Sequence, residues 1–423
     1  MRVLILADTC NPDWPSLPIV GYKAVHAIAK YADVVVATQV RNRENIERVG
    51  LGRAKVRYID NEYIGRPLFK LSELLRGGTE NAWTAAIALS YPTYLAFEWE
   101  VWKATRDEIR AGAFDLVHRI TPMSPTLPSP MASWSPVPFV LGPLNGGLKW
   151  PPAFREELAR EREWLSYVRN AYRMLPYQRS TYGKSAAVLA AFRHTIADLP
   201  KHAQANIIEF PEVGIDPEMF NQVTDRPARK RKTILFVGRL MPYKLPEVVV
   251  RAFAEYPALH SHRLVMVGEG PERPAIEQLI RSFGITSQVE LLGWKTQTEV
   301  AALMRDADIF AFPSIRELGA GVVVEAMASG LACIVVDYGG PGTLINAGRG
   351  LKVPLGNKEQ LVHSFGNALE CLVADEHTTG HLGSVARQHA MRYYTWDVKA
   401  RKMLAVYEWV LGRGPRPDFW ASE

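Results

Sequence analysis

Cysteine is scarce: the 423 residues hold three, Cys10, Cys333 and Cys371. They are odd in number, far apart and form no C-x-x-C. This speaks against a disulfide framework or a cysteine-based zinc site and fits a reducing compartment. Long uncharged hydrophobic runs are missing as well. The most apolar later stretch, Val322 to Val336, is broken by Glu325 and Gly330, so nothing approaches a membrane span. The opening residues Met1 to Ala7 read as a strand. Their apolar run reaches Asp8 with no small-residue cleavage site, which makes a poor signal peptide. Charge excess is modest, with 50 Lys plus Arg against 44 Asp plus Glu and a net charge of +6. That balance permits attraction to anionic small molecules or an anionic lipid surface and does not by itself point to nucleic acid. A soluble, cytoplasmic protein with no nucleic-acid partner is expected.

What is present is a globular composition, 48% hydrophobic and 22% charged, in a chain long enough for two or three domains. Its core needs no disulfide or structural metal at this length. Strand-like runs alternate with helical patterns. Val3–Ala7 precedes a helical stretch at Gly21–Lys30, and strands follow at Val34–Ala37, Leu116–His118, Phe139–Leu141 and Val188–Ala191. This predicts a parallel, doubly wound α/β sheet. Leu71–Arg110 reads as helical and aromatic, and Pro152–Lys184 as helical and basic. A second series holds strands at Thr233–Val237, Arg263–Val267, Val289–Leu292, Ile309–Phe312 and Cys333–Asp337. Between the halves lie two prolines and a glycine in Pro211 to Phe220, then the basic run Arg229 to Lys232, read as a solvated linker. Expected domains are therefore 1–215 and 216–395. In 396–423, Trp396, Ala400, Met403, Leu404, Tyr407, Val410 and Leu411 recur at the spacing of an amphipathic helix.

The second half carries the chemistry. Strand Thr233–Val237 runs into Gly238-Arg239-Leu-Met-Pro-Tyr-Lys244 at the sheet edge where ligands of parallel sheets bind. Two cations there suit a diphosphate. Strand Ile309–Phe312 runs into a glycine-containing loop, and a helix begins near Gly321. Free N–H groups at a helix start make an anion site. Glu317 and Glu325 flank the loop, Gly330 closes the helix, and Cys333–Asp337 opens into Gly339-Gly-Pro-Gly342 on the same edge.

These motifs, in this order, resemble those of the family 4 retaining glycosyltransferases: strand-Gly238-Arg239-Leu-x-x-x-Lys244, Leu-Leu-Gly293, Asp306-Ala-Asp-Ile-Phe-x-Phe-Pro-Ser314 and Glu317-x7-Glu325-Ala-Met-Ala-x-Gly330. The match runs through residues 211–345, with the first half similar mainly in architecture. The resemblance implies two Rossmann-like domains facing across a cleft, the GT-B type, with the last helix crossing back onto the first domain. It implies a nucleotide diphosphate sugar donor, an acceptor on the first domain, and transfer of a hexose-type sugar with retention. Arg239 and Lys244 stand where the family binds the donor diphosphate, Glu317 where a carboxylate meets the transferred sugar, and Glu325 where one holds the ribose. The backbone at Gly321 and Val322 would meet phosphate or ribose. One departure concerns the loop: the family reads Glu-x-Phe-Gly, and here Gly319 precedes Ala320, so the sugar-facing loop is shaped differently.

In the first half, His118 ends a predicted strand and matches a histidine that the family places near the donor sugar. Only Gly21 stands for the family's Gly-Gly pair near the diphosphate. Asn145 and Gly146, in the turn Gly142 to Gly147, and Trp294 are candidate contacts to base or sugar. The resemblance further implies a front-face reaction in which the leaving phosphate helps deprotonate the acceptor. Neither metal nor cofactor is expected, because Arg239, Lys244 and helix-start amides offset the diphosphate charge. Asp306-Ala-Asp308 reads as structural rather than metal-binding. The acceptor class left open is a glycan, a lipid-linked glycan or a small molecule, in polysaccharide or glycoconjugate synthesis. A nucleotide-sugar epimerase, a phosphorylase on the same fold and a silent nucleotide-sugar-binding subunit remain as alternatives. Arginines interleaved with Trp164, Tyr167, Tyr172 and Tyr177 in Phe154–Lys184 give a candidate contact with an anionic membrane surface.

Overall fold

A computed structural model describes residues 1–68, 83–160, 173–220 and 230–420, with backbone alone at 83–90. The chain forms two compact units. The first comprises Met1–Gly147, Glu161–Glu212 and Trp396–Glu423, and the second Leu148–Arg160 and Val213–Thr395. Among the described residues no helix is long and apolar enough to cross a membrane.

The first unit is built on a seven-stranded sheet. Its strands are β1 (Arg2–Ala7), β2 (Asp33–Gln39), β3 (Lys55–Ile59), β4 (Leu116–Thr121), β5 (Phe139–Leu144), β6 (Ala187–Ala190) and β7 (Ile207–Glu209). They lie in the order β3-β2-β1-β4-β5-β6-β7, all pairs parallel. The run in β1 is apolar without alternation because both faces are covered. Val3, Ile5 and Ala7 point to one face, into a cluster with Val25 and Ile28 of helix Leu17–Ile28 and with Ala400, Met403, Val406 and Tyr407 of the last helix, Trp396–Val410. Leu4 and Leu6 point to the other, against Tyr94, Phe97 and Val101 of helix Trp83–Arg110. The helical spacing of these residues supplies the stripe that each face of the sheet needs.

The second unit holds a six-stranded sheet. Its strands are β8 (Thr233–Val237), β9 (Arg263–Val267), β10 (Val289–Leu291), β11 (Ile309–Phe312), β12 (Ala332–Val336) and β13 (Leu351–Val353). They are parallel, in the order β10-β9-β8-β11-β12-β13. The chain winds outward on one side through β9 and β10 and returns on the other through β11 to β13. β8 and β11 therefore flank the switch point, where ligands of open parallel sheets bind beyond the strand ends.

Several details differ from expectation. The first helix begins at Leu17, ahead of Gly21, because Pro18 is tolerated in a first helical turn. The short strands β3, β7 and β13 were not anticipated. Leu148–Arg160 belongs with the second unit, tied there by a hydrogen bond from the Tyr338 hydroxyl to the Lys149 carbonyl (2.7 Å) and by Glu157 on Lys358 (2.6 Å). Lys232 is buried rather than solvated, with its ammonium 3.7 Å from Glu376. Arg229 and much of the basic aromatic stretch, residues 161–172, lie outside the described residues, as do 69–82 of the expected aromatic helix.

Candidate functional site

Three loops leave the strand ends around the switch point of the second unit. The first follows β8. Gly238 lies against the stem of Lys244: a Cβ there would sit 3.4 Å from Lys244 Cδ, an ordinary contact. Gly268, just after β9, has φ +138, and a Cβ on it would fall 2.0 Å from the Gly238 carbonyl oxygen, so the two strand ends meet this closely only with glycine at 268. The Lys244 ammonium lies 5.0 Å from the centre of the Phe312 ring and 5.5 Å from that of Tyr243, aromatic faces that stabilise a cation. Arg239 is exposed, and its guanidinium donates to the Tyr243 hydroxyl at 2.9 Å.

The second loop follows β11 and brings Glu317 onto Lys244 in a largely buried ion pair. Ser314, fully buried, donates to the same Glu317 oxygen, Oε1, at 3.1 Å. Ala320 then adopts a left-handed conformation (φ 50, ψ 41) just before helix Gly321–Ala328. That position favours glycine, so the alanine substitution noted in the sequence falls at a conformationally special point. The Val323 and Val324 amides return to the Ala320 carbonyl at 2.9 and 3.4 Å. The Gly321 and Val322 N–H groups have no hydrogen-bond partner among the described residues and are disposed as a helix-start anion site. Glu325 stands one turn further in, where its Oε1 accepts from Gln297 Nε2 at 3.0 Å. The helix closes on Gly330, at φ 74.

The third loop follows β12. Its Gly340 amide donates to the Glu317 carbonyl at 3.0 Å and so fixes the backbone that carries the carboxylate. Arg316 stacks on Trp150, 5.0 Å from the ring centre. Trp294, 71% exposed, follows β10 at the same end of the sheet. Asp308, of the Asp-x-Asp pair, accepts from the Thr233 amide at 2.7 Å, which accounts for that carboxylate structurally.

The first-unit candidates fare differently. His118 has no exposed surface, and both ring nitrogens are engaged inside the unit. Nε2 donates to the Gly142 carbonyl at 2.7 Å, and Nδ1 accepts from the Tyr407 hydroxyl at 2.6 Å. Burial pushes its pKa down to about 4, so the ring is neutral. It pins the last helix to β4 and β5, and with both ring nitrogens engaged a ring contact to a sugar would require one of these bonds to break. Gly21 is the fifth residue of its helix, past the free first-turn amides, and a Cβ there would lie 2.6 Å from the Thr9 carbonyl oxygen. Packing alone already requires glycine here. Asn145 donates its amide to Glu212, and Gly146 exchanges hydrogen bonds with the Thr195 hydroxyl at 2.8 and 3.3 Å.

Glu212 belongs to a buried cluster that the sequence did not reveal. Lys399 of the last helix donates to the Pro211 carbonyl and lies 4.2 Å from the Phe210 ring centre. Burial raises the Glu212 carboxyl to about 7 and lowers the Lys399 ammonium to about 7, and their mutual attraction opposes both changes. Both line a cavity of about 20 Å³, roughly one water's room, beside Met123, Phe210 and Trp396. That is too small for a substrate.

Residues 221–379 match the family described as glycosyl transferases group 1. Among curated proteins, a D-inositol 3-phosphate glycosyltransferase of Stackebrandtia nassauensis is 32% identical over 211 residues, 46% of this chain and 47% of that protein. One of Corynebacterium glutamicum is 29% identical over 245 residues, 53% and 57% of the two chains. The chain thus spans about half the length of the curated relatives it matches. Among solved structures, Anabaena HepE in complex with UDP and glucose aligns over 96% of this chain and 99% of its own, at TM-score 0.61 and 16% identity. The sucrose-phosphate synthase of Thermosynechococcus elongatus aligns over 97% and 99%, at TM-score 0.67 and 17% identity. These likenesses establish the fold, two parallel-sheet α/β units of the GT-B type.

Proposed function

We propose that this chain, whose residues 221–379 match the glycosyl transferases group 1, is a family 4 glycosyltransferase that transfers a hexose-type sugar, with retention, from a nucleoside diphosphate sugar to an acceptor held by the first unit. The observation that carries the reading is the convergence of Lys244, Glu317 and the free Gly321 and Val322 amides at the β8/β11 switch point. Lys244, Arg239 and the amides would neutralise the diphosphate as negative charge grows on it. Glu317 would face the positive charge that develops on the sugar, and Glu325 would accept from the ribose hydroxyls. The first unit offers no ionisable ring at His118 for the chemistry, and the resemblance to the family implies that the leaving phosphate helps deprotonate the acceptor. Catalysis then rests on electrostatic stabilisation by fixed groups. The three free cysteines accord with a cytoplasmic location. Exposed Arg173, Met174, Tyr177 and Arg179 support peripheral contact with an anionic membrane.

A thermal-shift panel of UDP-, GDP-, ADP- and TDP-sugars tests the donor assignment. A ligand at 100 times its Kd adds about 2.7 kcal/mol of stability, and one base is expected to stand out. If no nucleotide raises the melting temperature, the reading is wrong.

A further inference from the structure

We propose that Ser314 is a positioning residue for Glu317, the tether that holds the carboxylate when the donor diphosphate draws Lys244 away. The inference rests on the donor-site reading above. Glu317 Oε1 takes both polar contacts of this side chain, the Lys244 ammonium and the Ser314 hydroxyl at 3.1 Å. Oε2 makes no hydrogen bond among the described residues, so it is the oxygen left to meet a sugar. Ser314 Oγ also lies 3.4 Å from the Tyr243 carbonyl, but that carbonyl already accepts from the Ile315 amide at 3.0 Å. A hydroxyl has one proton, and a carboxylate is the stronger acceptor, so the proton goes to Glu317.

Lys244 cannot serve two anions equally. A diphosphate carries more charge than a carboxylate and approaches the same ammonium, so donor binding weakens the Lys244–Glu317 pair. Without a second tether the carboxylate would be free to rotate toward solvent just as its charge is needed beside the sugar. Ser314 is three residues before Glu317, wholly buried, and its backbone is anchored by the neighbouring Ile315 bond to Tyr243. It keeps its hydrogen bond whatever Lys244 does. The Gly340 amide on the Glu317 carbonyl holds the other end.

The test is a double-mutant cycle between Ser314→Ala and Glu317→Gln, with Ser314→Cys as a variant that keeps the side-chain volume. UDP-glucose, GDP-mannose and ADP-glucose are the probes, with water as acceptor and release of nucleoside diphosphate as the readout. Binding of UDP, GDP and ADP is followed by calorimetry. Ser314→Ala and Ser314→Cys are expected to lower kcat about tenfold, the worth of a hydrogen bond to a charged group. Donor KM and diphosphate affinity should stay within about twofold. In the Glu317→Gln background, Ser314→Ala should cause almost no further loss. Unchanged kcat in both serine variants, or an equal loss in both backgrounds, overturns the positioning role while leaving the donor site standing. Failure of the unaltered protein to bind any of the three diphosphates overturns the donor reading, and this inference with it.

Discussion

Tyr407→Phe removes one hydroxyl and asks whether His118 is a structural residue or a chemical one. The His118 ring is neutral with its proton on Nε2, because only a donor can face the Gly142 carbonyl at 2.7 Å. Nδ1 is then an acceptor, and its donor among the described residues is the Tyr407 hydroxyl at 2.6 Å. Both side chains are without exposed surface, so the variant strands a buried acceptor, at a cost of about 1–3 kcal/mol. The rings meet edge to face at 5.5 Å and 76°, a contact that phenylalanine keeps, so little packing is lost. A urea titration followed by circular dichroism should show a lowered midpoint, while turnover per folded molecule stays the same. Acid gives a second reading. The folded His118 has a pKa of about 4 against 6.5 for an exposed ring, so between those values the unfolded chain binds the extra proton. Stability from this group is therefore complete above pH 6.5 and is lost as pH falls through 4, amounting to about 3 kcal/mol at about 1.4 kcal/mol per pH unit. His118→Gln should remove that part of the acid slope. Loss of turnover in Tyr407→Phe with an unchanged urea midpoint would refute the structural assignment.

The second unit was legible because its signals are local. A doubly covered strand is a continuous apolar run, the glycine at its end marks the turn outward, and the helix start is only a few residues further on. Glu317 and Lys244 were each readable from their own loop, although nothing in either loop announces that they pair across 73 residues. What the sequence did not show has long-range causes. A histidine at a strand end looks the same whether its ring turns outward or inward. The deciding partner, Tyr407, is 289 positions away. Gly21 looked like a phosphate-loop glycine because the sequence cannot show that the Thr9 carbonyl occupies the space of its missing side chain. Glu212 and Lys399 carry ordinary charged-residue signals, and only folding buries them together. The edge strands β3 and β13 escaped for a simpler reason. Lys55-Val-Arg-Tyr-Ile alternates polar and apolar on a partly exposed edge, and β13 is three residues long, too short to carry a period.

Burial separates the two candidate phosphate cations. Lys244 is 9% exposed while Arg239 is exposed, so Lys244→Ala should weaken the nucleoside diphosphate that the panel selects about 10- to 100-fold and Arg239→Ala less than about fivefold, with affinity for the free nucleoside unchanged in calorimetry. Loss of nucleoside binding in step with the diphosphate would place the phosphate site elsewhere. Gly268→Ala should cost more than about 3 kcal/mol in thermal unfolding or prevent folding, because its Cβ would overlap the Gly238 carbonyl. Gly284→Ala, at φ +68 but facing open space, should cost only about 1 kcal/mol; equal losses would mean that strain, not overlap, governs both. The two glutamates should separate in kinetics. Glu325 is fixed by Gln297 at 3.0 Å within the helix whose first amides would meet the phosphates, so it can reach only the part of the donor beside them. Ribose hydroxyls stay neutral throughout the reaction, so that contact is equal in ground and transition states, and Glu325→Ala should raise the donor KM with kcat little changed. On the proposed reading Glu317 faces the bond to phosphate that breaks, and it is held against Lys244 by one oxygen. Its charge gains value only as positive charge appears on the sugar, so Glu317→Ala should lower kcat on the order of 100-fold with a small change in KM. Glu317→Gln restores the shape and not the charge, and activity should stay low. The opposite pattern, with kcat lost at Glu325 and KM raised at Glu317, would show that the sugar lies nearer the helix than the loop.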